Sequence, residues 1–293
     1  MKIKIIDAEV RLVHPQAMKT NYAKNNKELR VHESIYKRIN HKKKINHLWS
    51  VDVLLNSMKK NQISCAFLGS LHWKSIKLHR LNNDYNYKVA LQNPNKFYIF
   101  HSLHFLEVKK WQKLSLKKIN ILLDNFKKNK YFLGFELEPH SIKKNSLNWK
   151  SRHWNKFFKH VEKKNIPVRI VGRHPHQHKL NYPYFFLSLF KKYPKINFYI
   201  TAMGGSISYY EELSSLKKVL KNVYYISSTP STPSMIKTAS NLVPDKVMFG
   251  TDFPFNHSLN QQFLVKKIKT MNLKKNIYRK IMYQNSKKLL TID

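Results

Sequence analysis

Eight short apolar runs, most of them followed by a stretch with helical spacing, constrain this chain more than any other feature. The runs are residues 3–7 (IKIID), 64–69 (SCAFLG), 97–103 (FYIFHSL), 131–138 (YFLGFELE), 166–172 (IPVRIVG), 196–202 (INFYITA), 222–227 (NVYYIS) and 246–250 (KVMFG). Short apolar runs bounded by polar or turn residues read as buried strands. Residues 49–60, 116–128, 154–164, 184–192, 211–220, 263–271 and 275–290 instead repeat their apolar residues at helical intervals. Eight strands alternating with helices in 293 residues is the arithmetic of a (β/α)8 TIM barrel. An open doubly wound sheet is the alternative, but its Gly-rich first turn is absent. Residues 14–47 have weak periodicity and read as an insertion after strand 1 that distorts the barrel. No linker or internal repeat divides the chain, so residues 1–293 are expected to form one barrel domain.

Composition narrows the setting. Hydrophobic residues at 42% and aromatics at 13% are enough for a buried core. Lys and Arg total 55 against 16 Asp and Glu, a formal charge of +39. Such a balance raises a nucleic-acid or anionic-membrane partner. The lysines, however, are spread along the whole chain in pairs and short runs such as Lys109-Lys110 and Lys191-Lys192. No basic tail, zinc-finger spacing or phosphate-binding Gly loop accompanies them. Lys, Asn, Ile, Tyr and Phe are abundant together while Gly is scarce, which is the signature of compositional drift. Nucleic acid is therefore disfavoured as a partner. The single cysteine, Cys65, excludes a disulfide within the chain and fits a reduced, cytoplasmic setting. No signal-peptide core or membrane-length run is read from the sequence.

In a chain so depleted of acids, their positions carry information. Asp7 and Glu9 lie at the first strand, Glu136 and Glu138 at the fourth, and Asp252 follows the eighth in Gly250-Thr251-Asp252-Phe253-Pro254. Strand alternation places Asp7, Glu9 and Arg11 on one face. Carboxylates crowded at one barrel mouth repel unless a cation or a proton intervenes. Two cations are available in principle: a divalent metal held by Glu9 and Asp252, or the guanidinium groups of Arg11 and Arg173. The segment Gly172-Arg173-His174-Pro175-His176-Gln177-His178 follows the fifth strand, and His140 follows the fourth. His174 is the imidazole best placed to join the site. Against all this stands the plain alternative of structural ion pairs and solvated loops.

These segments, in this order, resemble the amidohydrolase superfamily, in its amidohydrolase-related branch of aminocarboxymuconate-semialdehyde decarboxylase-like proteins. Ile5-Ile6-Asp7-Ala8-Glu9-Val10-Arg11 is similar to the family's opening Ile-Asp-Ala-His-x-His. Leu133 to Pro139 resembles its Gly-x-Lys-x-x-Pro strand, and Pro167 to Val171 the strand that ends in a metal-binding His. Asn197 to Gly205 resembles the His-Met-Gly-Gly strand, and Gly250 to Pro254 the acid motif. Asn222 to Ser227 and Asn285 to Leu290 complete the set. The departures fall on the metal ligands: Glu9, Arg11, Val171 and Ala202 stand where the family has His, and only Asp252 is unchanged.

The resemblance implies a hydrolase or non-oxidative decarboxylase acting on a small anionic or cyclic substrate. Asp252, Arg11, Arg173 and His174 would be its catalytic residues, with Asp252 as general acid or base. Glu138 and His140 would bind substrate. Glu9 and Asp252 would hold one divalent metal (Zn or Mn), unless the site works without one. The resemblance also admits a homodimer. The competing reading is a catalytically inactive barrel kept as a binding or partner protein.

Overall fold

The computed structural model describes residues 4–16, 50–71, 73, 75–137, 152–172, 182–205, 207–228, 232–254 and 261–291. Its eight strands are β1 (Ile5–Arg11), β2 (Ile63–Gly69), β3 (Phe97–Ser102), β4 (Phe132–Leu137), β5 (Val168–Ile170), β6 (Phe198–Ile200), β7 (Val223–Ile226) and β8 (Val247–Met248). All neighbours are parallel and follow chain order. Closure comes from the chain beyond β8. Ala8 N donates to Phe249 O, Asp252 N to Glu9 O and Arg11 N to Phe253 O, each at 2.8 Å. The expected TIM barrel is thus the fold, with the Gly250–Pro254 segment laid against β1. The insertion expected at residues 14–47 lies almost wholly outside the described residues.

Helices α1 (Val51–Lys60), α2 (Ile76–Gln92), α3 (Phe105–Trp111), α4 (Leu116–Lys127), α5 (Arg152–Lys163), α6 (Tyr182–Lys192), α7 (Ser214–Leu220), α8 (Pro233–Leu242), α9 (Gln261–Lys269) and α10 (Lys275–Arg279) surround the strands. Local chemistry starts them. The Ser50 and Ser115 hydroxyls accept from Val53 N and Lys118 N at the starts of α1 and α4. Thr232 accepts from Met235 N at the start of α8, with Pro233 in its first turn. Three of these helices, α2, α3 and α8, are not read from apolar spacing. In α2 the reason is plain, because its buried face includes His79, Asn82, Asn83 and Asn86. Asn82 donates to Leu12 O at 3.0 Å, and Asn83 and His79 both contact Ser102 O at 2.8 Å. A helix that docks through hydrogen bonds leaves no apolar stripe to find.

The buried apolar residues form two bodies. The larger packs strands against helices, with Leu54, Leu123, Trp154 and Phe190 meeting Ile99, Phe135 and Phe198. The smaller contains Ile6, Ala8, Phe67, Phe100, Tyr199, Ile226 and Met248. In β3 and in β6 to β8, alternate residues divide between the two bodies, as the walls of a filled barrel should. Above this interior floor of Phe67, Phe100 and Tyr199, the barrel holds charge. No helix among the described residues is long and apolar enough to cross a membrane.

Candidate active site at the barrel mouth

The charge is carried by five side chains from three strands and the turn after β8. Arg11, near the end of β1, is 3% exposed and stands at the centre. Its Nη2 donates to Glu9 Oε1 at 2.6 Å and its Nη1 to Glu136 Oε1 at 2.5 Å. Nη1 also reaches Ser70 O at 3.0 Å, and Nε reaches Asp252 Oδ1 at 3.4 Å. From β5, Arg169 donates through Nε to Glu136 Oε2 at 2.6 Å and through Nη1 to Ala8 O at 2.8 Å. Its guanidinium lies 4.5 Å above the Phe100 ring, so a cation–π contact supports it from the aromatic floor. Glu136 therefore bridges two guanidinium groups, one per carboxylate oxygen.

Burying five charges in a barrel is costly unless each is answered. Burial works against the Arg11 charge, but Glu136, Glu9 and Asp252 outweigh it and raise the Arg11 pKa above the ordinary guanidinium value. For Arg169, burial and the neighbouring Arg11 win over Glu136 and Glu9, and its pKa falls. Gly69 makes the geometry feasible. A Cβ there would collide with the guanidinium groups of Arg169 and Arg11 and stand 2.7 Å from Glu136 Oε2. One member of the cluster reaches water: the Asp252 side chain is 22% exposed, against 1% for Glu9 and 0% for Glu136.

Backbone geometry sets this end of the barrel apart. Asp252 has φ +55°, and Ala202 and Met203 after β6 have +53° and +54°. Left-handed φ is costly for residues with a side chain, and such strain gathers at functional sites. At the opposite end the left-handed residues are Gln62, Asn95, Asn165 and Asn272, mostly the type that tolerates it.

The expected single face for Asp7, Glu9 and Arg11 is not what forms. The β1–β2 register shifts between Asp7 and Val10, which breaks the alternation. Asp7 instead accepts from Thr251 N (2.9 Å), Thr251 Oγ1 (2.6 Å) and Gln261 Nε2 (2.8 Å), tying β1 to the chain on either side of Asp252. Complete burial pushes its carboxyl up to about 7, against the pull of those donors. Glu9, Arg11 and Asp252 do meet at one point. Arg173, His174, Glu138 and His140 lie outside the described residues. Apolar-run reading passed over Arg169, although a lone charge inside Pro167-Val168-Arg169-Ile170-Val171 is itself a signal. Gly69, Thr251 and Gln261 carry no such mark.

Among the described residues the donor set does not fit a divalent metal. A metal held by Glu9 Oε1 and Asp252 Oδ1 would sit ~2.0–2.6 Å from them, in space the Arg11 guanidinium fills. No group of three or more His, Cys, Asp or Glu able to hold a metal occurs among the described residues. What the arrangement can do is hold a carboxylate, Asp252, at the edge of water beside a permanent positive charge.

Residues 117–292 match the sequence model of the amidohydrolase family, more than half of the chain. No curated protein matches the chain. Among solved structures, 5-carboxyvanillate decarboxylase from Sphingomonas paucimobilis is similar at 13% identity and TM-score 0.73, with 100% of each chain covered. Dihydroxybenzoic acid decarboxylase from Polaromonas, with bound manganese and the inhibitor 2-nitroresorcinol, is similar at 15% identity and TM-score 0.72, covering 99% of this chain and 97% of the other. A probable 2-pyrone-4,6-dicarboxylic acid hydrolase from Acinetobacter baumannii, with citric acid bound, gives 15% identity and TM-score 0.63 over 99% and 100%.

Proposed function

This chain belongs to the amidohydrolase family, and on that premise we propose that it is a non-oxidative decarboxylase of a small aromatic or cyclic carboxylate, working at the barrel mouth with Asp252 as general acid. The observation that carries the reading is Asp252 itself. It is the one solvent-reaching acid of an otherwise closed cluster, held in a left-handed conformation with Arg11 against it. Decarboxylation suits a mouth built from arginine better than hydrolysis does, because it needs no activated water. Asp252, a carboxylate at rest, would take a proton from water at its exposed edge and give it to the ring carbon that bears the substrate carboxylate. That C–H bond forms, the C–C bond to the carboxylate breaks, its electron pair returns to the ring, and CO2 leaves. Arg11 would stabilise the Asp252 carboxylate left behind. The similar solved structures, 5-carboxyvanillate decarboxylase and dihydroxybenzoic acid decarboxylase, support the substrate class.

A second reading has its own observation. Arg11, Arg169 and Glu136 pair with one another inside the barrel, as they would in a binding or partner protein without turnover. CO2 release from a panel of hydroxybenzoates, measured in EDTA, separates the two. The proposal expects release that disappears in Asp252→Asn while Tm holds. Release that survives Asp252→Asn, or that EDTA abolishes, overturns it. No release from any member of the panel favours the binding protein.

A further inference from the structure

We infer that the Arg11 guanidinium occupies, as a fixed part of the chain, the cation position on which several strands converge, so that the mouth takes up a divalent metal only when that side chain is removed. Three carboxylate oxygens and a carbonyl surround one group: Glu9 Oε1 at 2.6 Å, Glu136 Oε1 at 2.5 Å, Asp252 Oδ1 at 3.4 Å and Ser70 O at 3.0 Å. They come from β1, β4, the turn after β8 and the residue after β2. An all-oxygen shell of that charge is what hard divalent cations select. Glu9 Oε2 is buried without a hydrogen-bond partner among the described residues, so the shell carries acceptor capacity that Arg11 does not use.

A guanidinium answers this shell as an ion would electrostatically, but it has no open coordination position and cannot be stripped by a chelator. It also cannot lose its proton near neutral pH. Arg169 braces Glu136 from the other side, so the carboxylates stay aimed inward even when Arg11 is shortened. Gly69, having no side chain, leaves the room that both guanidinium groups fill. The inference does not rest on the decarboxylase reading, since metal uptake is measured without turnover.

The test titrates the purified chain with Mn(II), following the free ion by electron paramagnetic resonance and following Tm. Wild type should leave the free-ion signal and Tm unchanged. Arg11→His, which vacates the guanidinium volume and adds a nitrogen ligand, should remove about one Mn(II) per chain, with Tm rising as the metal concentration rises. Arg11→Lys keeps a charge in place and should stay indifferent. Recovery of a poorly folded Arg11→His by Mn(II) also supports the inference. Wild-type Mn(II) binding that Glu9→Gln or Asp252→Asn abolishes overturns it, whereas binding that survives both lies elsewhere and leaves it intact. An Arg11→His chain that folds and ignores Mn(II), or that is equally unfolded with and without it, also overturns it.

Discussion

Replacing Arg169 by Met tests how the barrel tolerates charge in its interior. The side chain is fully buried, gives two hydrogen bonds of 2.8 Å or less and rests on the Phe100 ring. Its removal leaves Ala8 O without that donor and changes the balance from three carboxylates against two guanidinium groups to three against one. Breaking a buried pair by deleting one partner costs about 3–5 kcal/mol, so a loss of about 4 kcal/mol is expected. Glu136→Gln should cost a similar amount, because two guanidinium groups then face each other across a neutral amide. The double variant has neither the surplus carboxylate nor the opposed cations. Its loss should fall short of the sum by about 2–3 kcal/mol, the size of coupling seen between groups in one network. Urea unfolding followed by circular dichroism measures all three variants. With a slope of about 3 kcal/mol/M, each single change moves the midpoint by roughly 1 M. Single losses below about 1 kcal/mol, or additivity within about 0.5 kcal/mol, would refute the view that Glu136 is held between opposed charges.

Gly69→Ala should weaken folding and disturb the same network, since a methyl group collides with both guanidinium groups; the unfolding midpoint measures it, and a neutral result would refute the close approach. His101 packs against Phe126 and Phe135, and burial pushes its pKa down to about 3. Its stabilising effect is therefore complete above the unfolded value of ~6.5 and lost as pH falls toward 3. At pH 5 the loss is about 2 kcal/mol, and His101→Phe should remove that part of the acid sensitivity in a pH series of urea midpoints. Burial likewise pushes the Cys65 thiol up to about 12. It should resist a thiol reagent such as Ellman's at pH 8 and react once urea unfolds the chain. Despite a formal charge of +39, a DNA duplex should show no tight, sequence-independent shift at physiological salt.

The sequence makes the barrel legible because each strand is a compact apolar run and most of its helices keep an apolar face. Where α2 escapes, polar docking through Asn82, Asn83 and His79 replaces the stripe that periodicity detects. The mouth is partly legible for a related reason. Acids are scarce, so Glu9, Glu136 and Asp252 stand out, and Arg11 stands out beside Glu9. Two things are not legible. The register shift after Asp7 depends on how β1 pairs with β2, which no one-strand pattern encodes. The partnership of Arg169 with Glu136 spans 33 residues and exists only once β4 and β5 are paired.

That partnership explains why the mouth holds together as a set. With Arg11 alone, three carboxylates would share one guanidinium, and Glu136 Oε2 would lose the charged donor that Arg169 gives it in a medium that punishes the loss. With Arg169 present, Glu136 is answered on both oxygens, and Arg11 has donors left for Glu9 and Asp252. Arg169 in turn needs the aromatic floor and the Ala8 carbonyl, because Glu136 alone does not spread over a whole guanidinium. Substituting any one of Gly69, Glu136 or Arg169 therefore shifts Arg11, and through Arg11 the carboxylate that meets water. A mouth assembled this way is expected to lose Asp252 function through residues that never contact a substrate, while the exposed lysines of the outer helices can change freely.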